Sequence, residues 1–269
     1  MDVDLDKANL ELSNGEVVEY DVVSFDVGST TRGHGVVEGS KEFTIPTRPI
    51  SDLVGRISKA EENLEGDINF VVVGGGAAGI ELALAMRARW GEKVERMTLT
   101  ILDSNDILLG SESEACRKAI GEEMTKREIG VLQGASVERV EEGSISLKDG
   151  RTVPFTHAIW ATGAACQGSL SKKLGDKGLS VDGRGWVMVS DTFESLSHPN
   201  VFAAGDCCTI VSNDFKAPPK AGVYAVRAGP ILIKNLVAAC SEGVDLVKYR
   251  PQGDFLKVRR SKERSQRAV

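Results

Sequence analysis

The sequence predicts an α/β fold, a parallel sheet with covering helices, organised as two domains of one design. Three observations predict it. From residue 68 to residue 130, apolar runs of strand length alternate with stretches at helical spacing. A twenty-residue pattern occurs twice, at 10–29 and 145–164, in register and 135 positions apart. Between the copies lies Gly74-x-Gly76-x-x-Gly79, flanked by an apolar run before it and a helical stretch after it.

The repeat comes first along the chain. "LELSNGEVVEYDVVSFDVGS" aligns with "ISLKDGRTVPFTHAIWATGA". Each copy reads as a β-hairpin closed by Asn14-Gly15 or Asp149-Gly150, dipeptides that supply the positive φ of a tight turn. An apolar strand then ends at Gly28 or Gly163. Similarity at this spacing points to two related domains. A polar, glycine-rich passage follows the first copy, and Ile50, Leu53, Val54 and Ile57 recur at helical spacing, predicting a linker and a helix. "INFVVVGGGAAGIELALAMRARW" reads as strand, glycine turn and helix; "MTLTILD" as a second strand; "ESEACRKAIGEEMTKREIG" as a second helix closed by Gly130. This alternation predicts helices on both faces of a parallel sheet. Beyond the second copy come a loop, the segments "WVMVSDTFES" and "SHPNVFAAGD", and a helix expected to break or kink at Gly229-Pro230, where proline removes a backbone donor.

Bulk properties exclude several classes. The 269 residues suffice for two cores. With 33 basic and 39 acidic residues the net charge is −6, which offers no electrostatic footprint for nucleic acid. The last sixteen positions carry +4 against −10 for the rest and read as a solvated basic tail. Five cysteines, with neither metal spacing nor a C-x-x-C pair, indicate free thiols in a reducing compartment and no metal site. The acidic start resembles no secretory signal, and there is no apolar run long enough to span a bilayer, so a cytoplasmic protein is expected.

The glycine pattern carries the strongest chemical signal because of its strand–turn–helix context. Gly74 permits the tight turn, Gly76 the approach of a pyrophosphate, and Gly79 close packing of helix on strand. The phosphate would sit at the helix N-terminus. Asp103, ending the second strand, is placed to accept hydrogen bonds from a ribose. No arginine follows it to receive a 2′-phosphate, which favours NADH over NADPH. Glu81, assigned to the first turn of the same helix, is explained by the helix dipole alone and is also a candidate for the nicotinamide. Thr162-Gly163 and Gly28 end the twin strands with small residues where backbone can pass close to a cofactor. In "VFAAGDC", Gly205 precedes Asp206, whose carboxylate can accept from ligand hydroxyls. Lys220, Ala221 and Gly222 open the last helix and are the candidates to face the polar edge of a ring system. The histidines at 34, 157 and 198 read as structural, and no catalytic acid or base is assigned.

Together "VVVGGGAAGIELA", "IWATGA", "HPNVFAAGDC" and "KAGVYAVRAGP" resemble the pyridine nucleotide-disulphide oxidoreductase superfamily. Within it, the similarity is to type II NADH dehydrogenase-like proteins and to the flavoprotein domain fused to selenide, water dikinases. The resemblance implies two Rossmann-like dinucleotide-binding domains, an FAD domain interrupted by an inserted NAD domain. Residues 1–60 would be a partial FAD domain and linker, 61–165 the NAD(H) domain, 166–245 the return to the FAD domain, and 246–269 the start of a C-terminal region with its basic tail. Gly205 and Asp206 would hold the ribityl chain of FAD, Lys220 to Gly222 would face the flavin, and Gly74, Gly76, Gly79 and Asp103 would hold NADH. The implied reaction passes hydride from NADH to flavin and electrons to a quinone or other small acceptor. Peripheral membrane contact is left open, as is the oligomeric state. Two features depart from the family. Only nine residues precede Leu10, whereas 77 separate Ile68 from Ile145, so a first glycine loop has no counterpart and the chain is expected to be cropped at both ends. None of the cysteines matches the redox pair of the disulphide reductases, and adjacent Cys207 and Cys208 read as idle thiols. The rival expectation is therefore a non-catalytic nucleotide-binding module lacking stable FAD.

Overall fold

The computed structural model describes residues 2–253; the basic tail lies outside them. Two compact units form, one from residues 2–32 with 164–253 and one from 33–163.

In the unit formed by 33–163, five parallel strands run in the order Ile45–Pro46, His157–Trp160, Ile68–Val73, Met97–Leu102 and Ile129–Leu132. Apart from Asn69, the central strand is apolar and buried because both its faces are covered. Phe70 and Val72 point to one face, where they pack with Leu53 and Ile57 of the helix Ile50–Glu61 and with Ile80, Met86 and Trp90 of the helix Ala77–Trp90. Val71 and Val73 point to the other, against Val140, Ile145, Leu147 and Phe155. That second face is covered by an antiparallel meander, Val137–Glu141, Ser144–Leu147 and Thr152–Pro154, and not by helices as the alternation predicts. After Ile129–Leu132 the chain turns through hairpins, so no long crossover is left to cover that side. Segment 33–60 also packs here: Ile45–Pro46 joins the sheet and Ile50–Glu61 joins its core.

Trp90 is fully buried, edge-on to Phe70 and to His157 at centroid distances of 5.2 Å. Its removal would cost about 3–5 kcal/mol. Burial lowers the pKa of His157 by disfavouring its charged form. The guanidinium of Arg87 donates to Met97 O and Glu128 O, both at 2.7 Å, and so fastens the helix to the sheet edge.

The other unit opens with a twin of that meander: Asp2–Asp4, Asn9–Glu11 and Val17–Glu19. Leu10 faces Val18 as Ile145 faces Val153, and Asn9 faces Glu19 as Ser144 faces Pro154. Val3 faces Leu10 as Val140 faces Ile145, but the connecting turn is two residues longer in the first copy. The turn glycines match as well, Gly15 at φ 83° and Gly150 at φ 86°. Val23–Phe25 then pairs in parallel with Val201–Ala203, and Val187–Val189 with Cys208–Ile210. Among the described residues Val23–Phe25 has one strand neighbour, whereas its twin His157–Trp160 lies between two.

Of the two outcomes expected at Gly229-Pro230, interruption does not occur: the helix Gly222–Ala239 continues with Pro230 inside it. Tyr224, Ala228, Leu232, Asn235 and Ala238 form one buried face, and this burial holds the helix through the lost backbone donor. Asn235 is fully buried and satisfied: its Nδ2 donates to Thr192 O and Val247 O at 2.7 and 2.9 Å, and its Oδ1 accepts from Val247 N at 2.7 Å. No helix among the described residues is long and apolar enough to cross a membrane.

Candidate functional site

In the sheet of the 33–163 unit, the glycine loop joins the central strand to the helix Ala77–Trp90. Gly74 sits at φ 118°, and a Cβ there would lie 2.5 Å from Ala161 O. A Cβ on Gly79 would lie 1.9 Å from Gly74 O, so the helix rests directly on the loop backbone. Gly76 is different. Its φ of −72° suits any residue, and a Cβ would meet nothing within 4 Å. Glycine at 76 therefore serves no contact within the chain. It leaves open the space before a helix end that carries no side-chain cap, where first-turn N–H groups lack helical partners.

Asp103 is buried at the loop, 4% exposed. Its Oδ1 accepts from Asn105 N at 3.2 Å and from Asn105 Nδ2 at 2.9 Å, while a Cβ on Gly75 would lie 2.5 Å from its Oδ2. The structure thus brings Gly74, Gly76, Gly79 and Asp103 together and adds two residues that the sequence reading passed over. Gly75, the middle of three consecutive glycines, makes room for the carboxylate, and Asn105 orients it. The run of three glycines was the visible signal. Thr162 abuts the same loop, its backbone N 3.0 Å from the Cβ position of Gly74, and Gly163 adopts φ 96°. Glu81 is exposed and, because the helix begins at Ala77, stands in its second turn instead of the first. Partial desolvation raises its carboxyl pKa.

A separate cleft lies within the 2–32 and 164–253 unit. Gly205, Asp206, Lys220 and Ala221 line it, with Phe193 and Tyr249 among its apolar walls. Gly205, at φ 72°, starts a single 3₁₀ turn that presents Asp206. Ser29 Oγ donates to Asp206 Oδ2 at 2.9 Å, so the residue after Gly28 reaches the acid of the later motif. Lys220 Nζ donates to Cys208 O and, at 3.3 Å, to Thr209 Oγ1, and lies 4.6 Å from the centre of the Trp186 ring. Burial lowers the Lys220 pKa. Ala221 caps the long helix without a side-chain bond, and Gly222 is its first residue. Ser29, Thr209 and Trp186 escaped the sequence reading, since nothing in their local pattern marks a contact so distant in the chain.

The adjacent cysteines face the interior. Cys207 Sγ donates to Phe25 O at 2.9 Å and Ala204 O at 3.1 Å, and Cys208 Sγ lies 3.6 Å from Gly205 O. Burial pushes the Cys207 thiol up to about 11 and Cys208 higher still, so both remain protonated and unreactive at neutral pH. Among the described residues no cluster could hold a metal ion.

Comparisons agree with this architecture. The pyridine nucleotide-disulphide oxidoreductase family matches residues 1–229. The type II NADH:quinone oxidoreductase of Haemophilus influenzae is 23% identical over 202 residues, 71% of this chain and 45% of that protein. Ferroptosis suppressor protein 1 of Xenopus tropicalis is 25% identical over 262 residues, 93% of this chain and 64% of its own length. The chain thus spans less than two thirds of either relative. An FAD-dependent pyridine nucleotide-disulphide oxidoreductase from Desulfovibrio vulgaris superposes with a TM-score of 0.71 at 24% identity, over 92% of this chain and 62% of that one. A glycine loop between strand and helix, a strand-end acid beside it, and a family match over most of the sequence lead to one conclusion: the chain belongs to the pyridine nucleotide-disulphide oxidoreductase family.

Proposed function

We propose that this chain forms the NADH- and FAD-binding part of an NADH dehydrogenase-like oxidoreductase whose electrons go to a quinone or another small acceptor. The observation that carries the reading is the contrast within the glycine loop: Gly74 and Gly79 are required by backbone contacts of the chain itself, while Gly76 borders open space before an uncapped helix end. That arrangement suits the pyrophosphate of a dinucleotide. Gly74, Gly76 and Gly79 would seat it, and Asp103, oriented by Asn105, would accept from a ribose hydroxyl. Thr162 and Gly163 would let backbone pass near the ligand, and Glu81 would lie toward the nicotinamide.

The cleft at Gly205 suits the other cofactor. Asp206, oriented by Ser29, would accept from ribityl hydroxyls; Gly28 and Gly205 would allow close backbone approach; and Lys220, Ala221 and Gly222 would present a cation and a helix end to the flavin ring. When bound, FAD supplies hydride acceptance from a reduced nicotinamide and electron transfer to the acceptor. The chain's residues bind and orient. Five free thiols support a reducing compartment.

One observation favours a second reading. The sequence holds a single G-x-G-x-x-G, and among the described residues Val23–Phe25 has one strand neighbour where its twin has two. A nucleotide-binding module that takes NADH without retaining flavin would have these properties. Purified chain separates the two. A yellow protein whose flavin absorbance bleaches on adding NADH supports the oxidoreductase; a colourless, folded protein that binds NADH supports the module.

A further inference from the structure

Lys220 is held at close range by neutral groups, with the carboxylates of Asp206 and Asp182 acting on it from farther off. Its three direct partners, Cys208 O, Thr209 Oγ1 and the Trp186 ring, are all neutral, and Asp206 and Asp182 favour the charged form through space without a hydrogen bond to its Nζ. Trp186 is 3% exposed and fixed by a closed loop: its N donates to Asp182 Oδ1 at 3.0 Å, and Asp182 N donates to Trp186 O at 2.9 Å. A carboxylate in place of the ring would neutralise the ammonium. An aromatic face attracts it and leaves the positive charge available to a third group. The long lysine stem is otherwise mobile, and a cradle of three acceptors removes that freedom before any ligand arrives.

We infer that Trp186 is a positioning residue: its ring holds the Lys220 ammonium at the cleft wall shared with Gly205 and Asp206, ready for an electron-rich oxygen of the bound cofactor. This rests on reading the cleft as the flavin site. Asp206 would meet the hydroxyls of the ligand and Lys220 its electron-rich edge, so the cleft presents both signs of charge along one wall.

Two measurements on the full chain test the inference. In protein labelled with ¹³C-lysine, the Lys220 Hε signals, identified by their loss in Lys220→Met, should lie upfield of the other lysines because of the ring current. They should return to ordinary positions in Trp186→Leu and stay shifted in Trp186→Phe. In FAD titrations followed by fluorescence quenching, Trp186→Leu and Lys220→Met should each weaken binding about fivefold to tenfold. The double variant should bind no worse than Lys220→Met alone, and Trp186→Phe should stay within about twofold of the parent. An unshifted Lys220 signal in the parent, or losses that add in the double variant, would overturn the inference. The parent spectrum and Lys220→Met require no change to the core, so the test survives a Trp186→Leu chain that fails to fold. A shifted Lys220 signal in a parent that takes up no FAD would overturn the flavin reading and leave the Trp186–Lys220 pairing supported.

Discussion

Ser29 Oγ donates a 2.9 Å hydrogen bond to Asp206 Oδ2 across 177 positions of sequence. The bond joins the end of the first repeat copy to the later Gly-Asp motif and fixes the direction in which the carboxylate faces. Ser29→Ala should therefore weaken FAD binding about threefold to tenfold, since the bond orients the carboxylate without touching the ligand and one ordinary hydrogen bond contributes about 0.5–1.5 kcal/mol. Asp206→Ala should weaken it further while NADH affinity stays nearly unchanged. Parallel titrations with the two nucleotides check this, and equal losses of both would remove Asp206 from the flavin site.

The glycine loop predicts opposite outcomes for two alanine substitutions. Gly79→Ala places a methyl 1.9 Å from Gly74 O, a backbone atom that cannot yield cheaply, and should cost about 3 kcal/mol or more. Gly76→Ala meets nothing and should change stability by less than about 1 kcal/mol, yet lower NADH affinity by intruding on the ligand. Thermal melts and NADH titrations of both variants distinguish packing from recognition.

Asp103→Ala should weaken NADH about tenfold and NADPH less, since only the unphosphorylated ribose offers the 2′-hydroxyl for the carboxylate to accept. The same change leaves the two Asn105 donors without Asp103 Oδ1, so a modest loss of stability should accompany it. An unaltered preference between the two nucleotides would show that Asp103 does not read the ribose.

Glu61 bridges two helices by pairing with Arg89 and Lys93. Hydrogen bonds from Arg89 and then Lys93 hold its carboxyl at about 2, below the ordinary 4.5. A lowered folded-state pKa means the unfolded chain takes up the proton first. The contribution is whole above about 4.5 and is lost as pH falls toward 2. Glu61→Gln should reduce stability at neutral pH and flatten its decline across that acid window. Urea midpoints for both chains at several pH values measure the difference.

Much of the fold was legible because short-range chemistry dictated it. Asn14-Gly15 and Asp149-Gly150 announced their hairpins, and the apolar run from Phe70 to Val73 announced a strand buried on both faces. The glycine spacing revealed which backbone approaches its neighbour. Less legible was what depends on partners far along the chain. Nothing near Val71 and Val73 says that a meander, and not a helix, covers them. Pro230 reads locally as a break, yet the buried row through Tyr224, Ala228 and Leu232 carries the helix past it. In the cleft, the Gly-Asp motif was readable, but Ser29 and Trp186 are ordinary residues whose value comes from tertiary placement.

The twin meanders share their strand pairing but differ by two residues in one turn, between Asp4 and Asn9 in the first copy and between Glu141 and Ser144 in the second. One version of this module already tolerates extra length at that corner without losing phase. The tighter corner of the second copy is accordingly the natural point at which to splice a short epitope or spectroscopic label, leaving both layers of the nucleotide sheet intact.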